Sequence, residues 1–189
     1  MRLLKHFRLF LFYLLGISIL YFGVGGFIYL ELVQAKTKIE LSPQIDETVH
    51  NVGGIHIKGK EKAVIVEQMM LTDKIFPVVK SLPTFLNYII TAIAFGAFGS
   101  FGSVVNSSLR NGSDPKTTNN LFLFLINGGF AGVIILAISY TVPFVLSAEA
   151  ITLKPTSVVF LCLFAGFSHA KFFDWFSSIF DKKIFKNGE

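Results

Sequence analysis

The 22 consecutive residues from Leu9 to Leu30 carry no charge. A helix rises about 1.5 Å per residue, so about 20 apolar residues cross the roughly 30 Å hydrocarbon core of a bilayer. Three more such runs follow in a chain of 189 residues. Ser81 to Leu109 is uncharged, with its apolar centre from Phe85 to Val105. Thr117 to Ala148 is uncharged and centred on Leu121 to Leu146. Pro155 to Ala170 is uncharged, after which Lys171 and Asp174 interrupt and Trp175, Phe176, Ile179 and Phe180 resume the apolar pattern. The expected fold is an all-α membrane protein. Four transmembrane helices, over about residues 9–30, 84–106, 121–146 and 157–178, form one transmembrane domain over 1–189, with a small extracytoplasmic loop at 31–83.

Composition agrees. The chain is 52% hydrophobic and 15% charged, whereas soluble domains carry about 25% charged residues. Its 22 phenylalanines need lipid as a solvent. The first run has a basic leader, Arg2, Lys5 and Arg8, and Val33-Gln34-Ala35 loosely fits a cleavage site. Its apolar stretch exceeds the roughly 7–15 residues of a secretory signal, so it reads as an uncleaved signal anchor.

Orientation follows from lysines and arginines near the span ends, which favour the cytoplasmic side. The N-terminus, the middle loop with Arg110 and Lys116, and the tail with Lys182, Lys183 and Lys186 are basic. The loop after the third run has Lys154 offset by Glu149. Both termini are therefore expected in the cytoplasm of a bacterial inner membrane. The long first loop has seven lysines balanced by seven acids from Glu31 to Asp73, and long segments weigh little in the rule. The net charge of +5 thus reflects topology. No nucleic-acid recognition motif accompanies it, and direct nucleic-acid binding is not expected.

In the first loop, Ile55 and Ile57 alternate with His56 and Lys58, and Val64 and Val66 flank Ile65. Lys58-Gly59-Lys60-Glu61-Lys62 between them predicts the turn of a β-hairpin. Gly53-Gly54 predicts a bend before it, and Glu67 to Val79 a short helix or an amphipathic return to the membrane, interrupted by Pro77 and Pro83. His50 and His56 have no companion cysteine and no fixed helical spacing to an acid, so no metal is expected. The single cysteine, Cys162, lies in an apolar run and can form neither an intramolecular disulfide nor a zinc site alone.

Lipid gives helices no hydrophobic drive to associate, so they pack through small residues. Gly96 and Ser100, the GxxxG pair Gly128 and Gly132, and Gly166 form small faces on the last three spans. Such faces serve either packing within the chain or a seam between copies. Asn87, Asn106 and Asn127 lie in or at the ends of apolar runs and call for hydrogen-bond partners. Lys171 and Asp174, three apart on a helix, are placed to pair. With Arg110, Lys116, Lys182, Lys183 and Lys186 they outline a cytoplasmic docking edge. The amphipathic tail beyond them suits an anionic leaflet or a soluble partner. No Walker loop, HExxH or GxSxG motif is present, and no catalytic residue, cofactor or metal is assigned.

The stretch Phe95-Gly96-Ala97-Phe98-Gly99-Ser100, with Val104 to Arg110, Asn127 to Gly132 and Phe164 to Ser168, resembles a class of bacterial four-span inner-membrane proteins over roughly residues 90–180. Many members continue the last motif with Glu-Arg. This chain has His169-Ala170, so any role of that acid does not carry over. In size, span number and external loop the chain is also similar to the membrane subunit of the Kiwa anti-phage defence system. That resemblance implies an oligomeric inner-membrane sensor of phage attachment that works with a cytoplasmic nucleic-acid-binding effector. The expected function is a non-enzymatic homo-oligomeric scaffold or sensor in the lipid bilayer that docks an effector. The alternative is an oligomeric channel. The topology predicts that, in a cysteine-free background, a cysteine at Lys60 reacts with a membrane-impermeant maleimide added to intact cells. A cysteine at Lys116 reacts only after the membrane is opened.

Overall fold

The computed structural model describes residues 2–41, 48–111, 118–145 and 154–180. Seven helices and one hairpin follow in the order α1 (Arg2–Leu41), β1 (Val49–Val52), β2 (Ile55–Lys58), α2 (Lys60–Ile75), α3 (Pro77–Ser81), α4 (Thr84–Asn111), α5 (Thr118–Val145), α6 (Pro155–Phe167) and α7 (His169–Phe180). Stretches of α1, α4 and α5 are long and apolar enough to cross a membrane. A fourth crossing exists if α6 and α7, bent by 96° at their junction, count as one broken span. The chain divides into two compact units, Met1–Thr91 and Ala92–Glu189, with the boundary inside α4.

In the first unit, α1 is one helix of 40 residues. It continues through Leu41, beyond the expected span end at Leu30, so the start of the predicted loop is helical. No proline interrupts it, and Lys36 and Glu40 pair across one turn at 3.8 Å. Phe10, Ile17, Leu20 and Val24 are exposed along it, a surface that only an apolar solvent accommodates without cost.

The hairpin lies earlier in the chain than the alternation predicts. Val49 to Val52 pairs antiparallel with Ile55 to Lys58, Val49 opposite Lys58 and Val52 opposite Ile55. The turn is Gly53-Gly54, not the lysine-rich segment after β2. Gly53 has φ +57° and Gly54 φ +82°, and two successive positive φ values suit a two-residue turn that follows strand twist. Val64, Ile65 and Val66 are helical in α2. Their branched side chains favour a strand locally. They sit instead among Glu61, Lys62, Ala63, Glu67, Gln68 and Met69, which favour a helix. Ala63 and Thr72 are buried, and α2 packs against α1 and both strands.

Phe76 separates α2 from α3. Pro77 occupies the first turn of α3, where its missing N–H costs no hydrogen bond. The Phe76 ring lies against α1, 5.1 Å between centroids from Tyr21 and over Gly25. Lys80 pairs with Asp73 at 2.6 Å. Asn87, fully buried, donates through Nδ2 to the carbonyls of Val79 at 2.9 Å and Leu82 at 3.3 Å. It thereby satisfies the C-terminal carbonyls of α3. One turn on, the buried Thr91 hydroxyl has no hydrogen-bond partner among the described residues. It faces Gly26 so closely that a Cβ there would fall on its Oγ1.

That contact makes Gly26 and Thr91 a coupled pair. Gly26→Ala is expected to destabilise the protein in detergent by about 1–3 kcal/mol, the usual range for overpacking. Gly16, which has open space around it, tolerates alanine. Adding Thr91→Ala to Gly26→Ala recovers part of the loss, so the double variant is more stable than the sum of the singles. Unfolding midpoints of the four proteins check this.

Candidate functional site

The small residues of the second unit converge on one junction. A Cβ on Gly96 of α4 would fall on the Gly128 carbonyl oxygen and within 3.0 Å of the Gly132 nitrogen, both on α5. A Cβ on Gly166 of α6 would fall on the Gly96 carbonyl oxygen and lie 2.9 Å from the Gly96 Cα. One turn along α4, a Cβ on Gly99 would meet the Leu163 carbonyl oxygen and lie 2.7 Å from the Phe167 nitrogen. Three helices therefore touch backbone to backbone. The candidate seam residues Gly96, Ser100, Gly128, Gly132 and Gly166 all face inward, against one another's helices.

Side-chain hydrogen bonds tie the junction. The buried Ser100 hydroxyl donates across to the Phe124 carbonyl of α5. The fully buried Cys162 thiol donates to the Gly132 carbonyl at 3.4 Å. These cross-helix bonds to backbone add modestly to helix association in lipid. The resulting interior is closed between α4, α5 and α6, with neither a side chain nor a water's width separating Gly96 from Gly128 and Gly166.

Immediately beyond, the chain turns. The Ser168 N–H donates to the Phe164 carbonyl at 3.0 Å, and α7 leaves at 96° to α6. His169 starts α7 and is only 6% exposed. Its Nδ1 lies 3.1 Å from the Gly166 carbonyl. A carbonyl only accepts, so Nδ1 carries the proton in this bond. The ring meets Phe124 edge-on at 5.1 Å. His169 thus joins the end of α6, the start of α7 and α5. In the sequence His169 stands with Lys171 and Asp174 as a polar cluster near the inner headgroup boundary; its burial at a bend has no local signal.

Along α7, His169, Phe172, Phe173 and Phe176 recur at helical spacing on the less exposed side. The Phe172 ring lies 5.8 Å from Phe173 and stacks at 6.1 Å on Phe176. Ala170, Lys171, Asp174, Trp175 and Ser177 are exposed. Lys171 and Asp174, expected to pair, form no ion pair among the described residues, and both are exposed. Arg110 sits in the last turn of α4. Lys116, Lys182, Lys183 and Lys186 lie outside the described residues, so of the residues expected to form a docking edge the structure describes Arg110 in α4 and Lys171 and Asp174 in α7. In the first unit, His50 Nε2 lies 3.1 Å from the Thr48 hydroxyl. Among the described residues no three His, Cys, Asp or Glu side chains come together.

No protein-family model, curated protein or solved structure matches this chain.

The junction makes a specific demand at Gly96. Gly96→Ala must push α5 away from α4, whereas Gly102, whose nearest neighbour is the Phe167 ring at 3.6 Å, has room for a methyl group. Gly96→Ala is expected to lower stability by about 1–3 kcal/mol or more, and Gly102→Ala by less than about 0.5 kcal/mol. Unfolding titrations of the two variants in the same detergent give the comparison.

Proposed function

We propose that this chain is a multi-pass membrane scaffold without catalytic activity, which relays an event between the two faces of a bacterial inner membrane. The observation that supports this reading is the 96° bend at Ser168. It turns an apolar helix into an amphipathic one and leaves Lys171, Asp174 and Trp175 exposed at the end of a rigid bundle. Counted with α6 as one broken span, α7 ends the fourth crossing, where Trp and Lys suit headgroup level. Under the orientation argued from charge, the hairpin and α2 form an external head. In this reading the head detects and the α7 edge, continued by Lys182, Lys183 and Lys186, docks a cytoplasmic effector. Phage attachment as the stimulus, and a nucleic-acid-binding effector, are what the similarity to the Kiwa membrane subunit implies. The alternative, an oligomeric channel, would not pass at Gly96, where α4 meets α5 and α6 backbone to backbone.

Extraction of the full-length chain from its native membranes in mild detergent tests the docking. A partner is expected to co-purify with the intact chain. It should be lost from a form ending at Asp181 and weakened by Lys171→Glu, while both variants remain in the membrane fraction. Recovery of the same lone chain from all three preparations would overturn the reading.

A further inference from the structure

Three asparagines lie in the apolar runs, and the structure separates them. Asn87 is buried and bonded to two carbonyls. Asn106 is exposed at the C-terminal edge of its span, which runs from Thr84 to Ser107, where headgroups and water are close. Asn127 differs from both. It is exposed on α5, and its side chain makes no hydrogen bond to any described residue. It is also deep. The apolar stretch of α5 runs from Leu121 to Thr141, which puts its middle at residue 131, four positions away. At about 1.5 Å per residue Asn127 sits about 6 Å from the midplane, well inside a half-thickness of about 15 Å. Its side chain has a single methylene and cannot reach the headgroups.

A carboxamide facing hydrocarbon with no partner is costly. Leu123, Ile126 and Phe130 flank Asn127 at helical spacing and are exposed with it. They form a continuous strip of knobs on the side of α5 opposite Gly128 and Gly132, which are buried against α4. We propose that this strip is a contact surface for a second copy of the chain, with Asn127 as its polar centre. The amide supports that choice of occupant, because it carries both a donor and an acceptor. The same residue on two copies can then satisfy itself, and apolar neighbours on both sides exclude competing water. The glycine faces, expected to serve either packing within the chain or a seam between copies, pack within the chain, and the proposed seam lies on the other face of α5. This deepens the homo-oligomer expected from the sequence and rests on the function proposed above only for residence in lipid. It does not depend on effector docking.

The test uses the full chain with Cys162→Ala and a single labelling cysteine at Lys60, reconstituted in phosphatidylethanolamine–phosphatidylglycerol vesicles. Donor- and acceptor-labelled copies are mixed, and energy transfer is followed as the protein is diluted in lipid. The parent should show transfer that falls on dilution. Asn127→Leu suits both helix and lipid, and should weaken association about 5- to 30-fold, the range of an interhelical hydrogen bond in a membrane. Asn127→Gln keeps the amide and should retain most of the transfer. Emission from Trp175, the single tryptophan, should be the same in all three proteins, which shows that each bundle is intact. Absence of transfer in the parent would overturn the proposal. So would equal transfer in the parent and Asn127→Leu, which would place the contact elsewhere or with lipid alone. Loss of effector co-purification with transfer preserved would instead count against docking and leave this contact standing.

Discussion

At Gly96 three helices meet with no side chain between them. The Gly96 backbone touches α5 at Gly128 and Gly132 and α6 at Gly166. In water, large apolar side chains would drive such packing. In lipid they gain little by leaving the solvent, so close backbone approach and dispersion carry the association. The rest of the second unit depends on this. Ser100 can reach the Phe124 carbonyl, and Cys162 the Gly132 carbonyl, only because the axes are this near. His169 finds Phe124 and Gly166 together for the same reason. The bend at Ser168 is thus anchored to the junction through one imidazole.

The first unit is built on a different principle. Its contacts use rings and amides rather than bare backbone: Phe76 over Gly25, Tyr21 beside Phe76, and Asn87 closing the end of α3. The Thr91 hydroxyl against Gly26 is its one buried polar atom left without a conventional partner among the described residues. A Cα–H of Gly26 is the nearest kind of donor available to it, and such contacts between membrane helices are weak but recurrent. One unit is therefore a tight glycine-packed bundle, and the other a helix that carries a small folded head.

Much of this was legible in the residues. Uncharged runs are long, so the helices α1, α4 and α5 lie over the first three of them, although α1 reaches Leu41, well past Leu30. The small faces at Gly96, Gly128 and Gly166 were visible as spacing. That they serve one junction was not, because spacing does not name a partner. The hairpin was predicted one element too late. Val64-Ile65-Val66 reads as strand in isolation, and the helix around it is set by the longer run from Lys60 to Ile75. Gly53-Gly54, taken for a bend, is the turn itself. The fourth run hid its corner at Ser168, since neither proline nor glycine marks that position. Asn127 was visible as an amide in an apolar run, but its exposure depends on which face of α5 the glycines claim.

The length of α1 has a structural consequence. Its 40 residues extend about 60 Å, roughly twice the hydrocarbon thickness of a bilayer. The helix continues without a proline or a break to Leu41, and α2 and α3 pack against it, Phe76 reaching Tyr21 and Gly25 within the apolar run. The head packs on this single long helix through α2 and α3. The contacts of the head thus fall on a helix that has no internal break over its 40 residues.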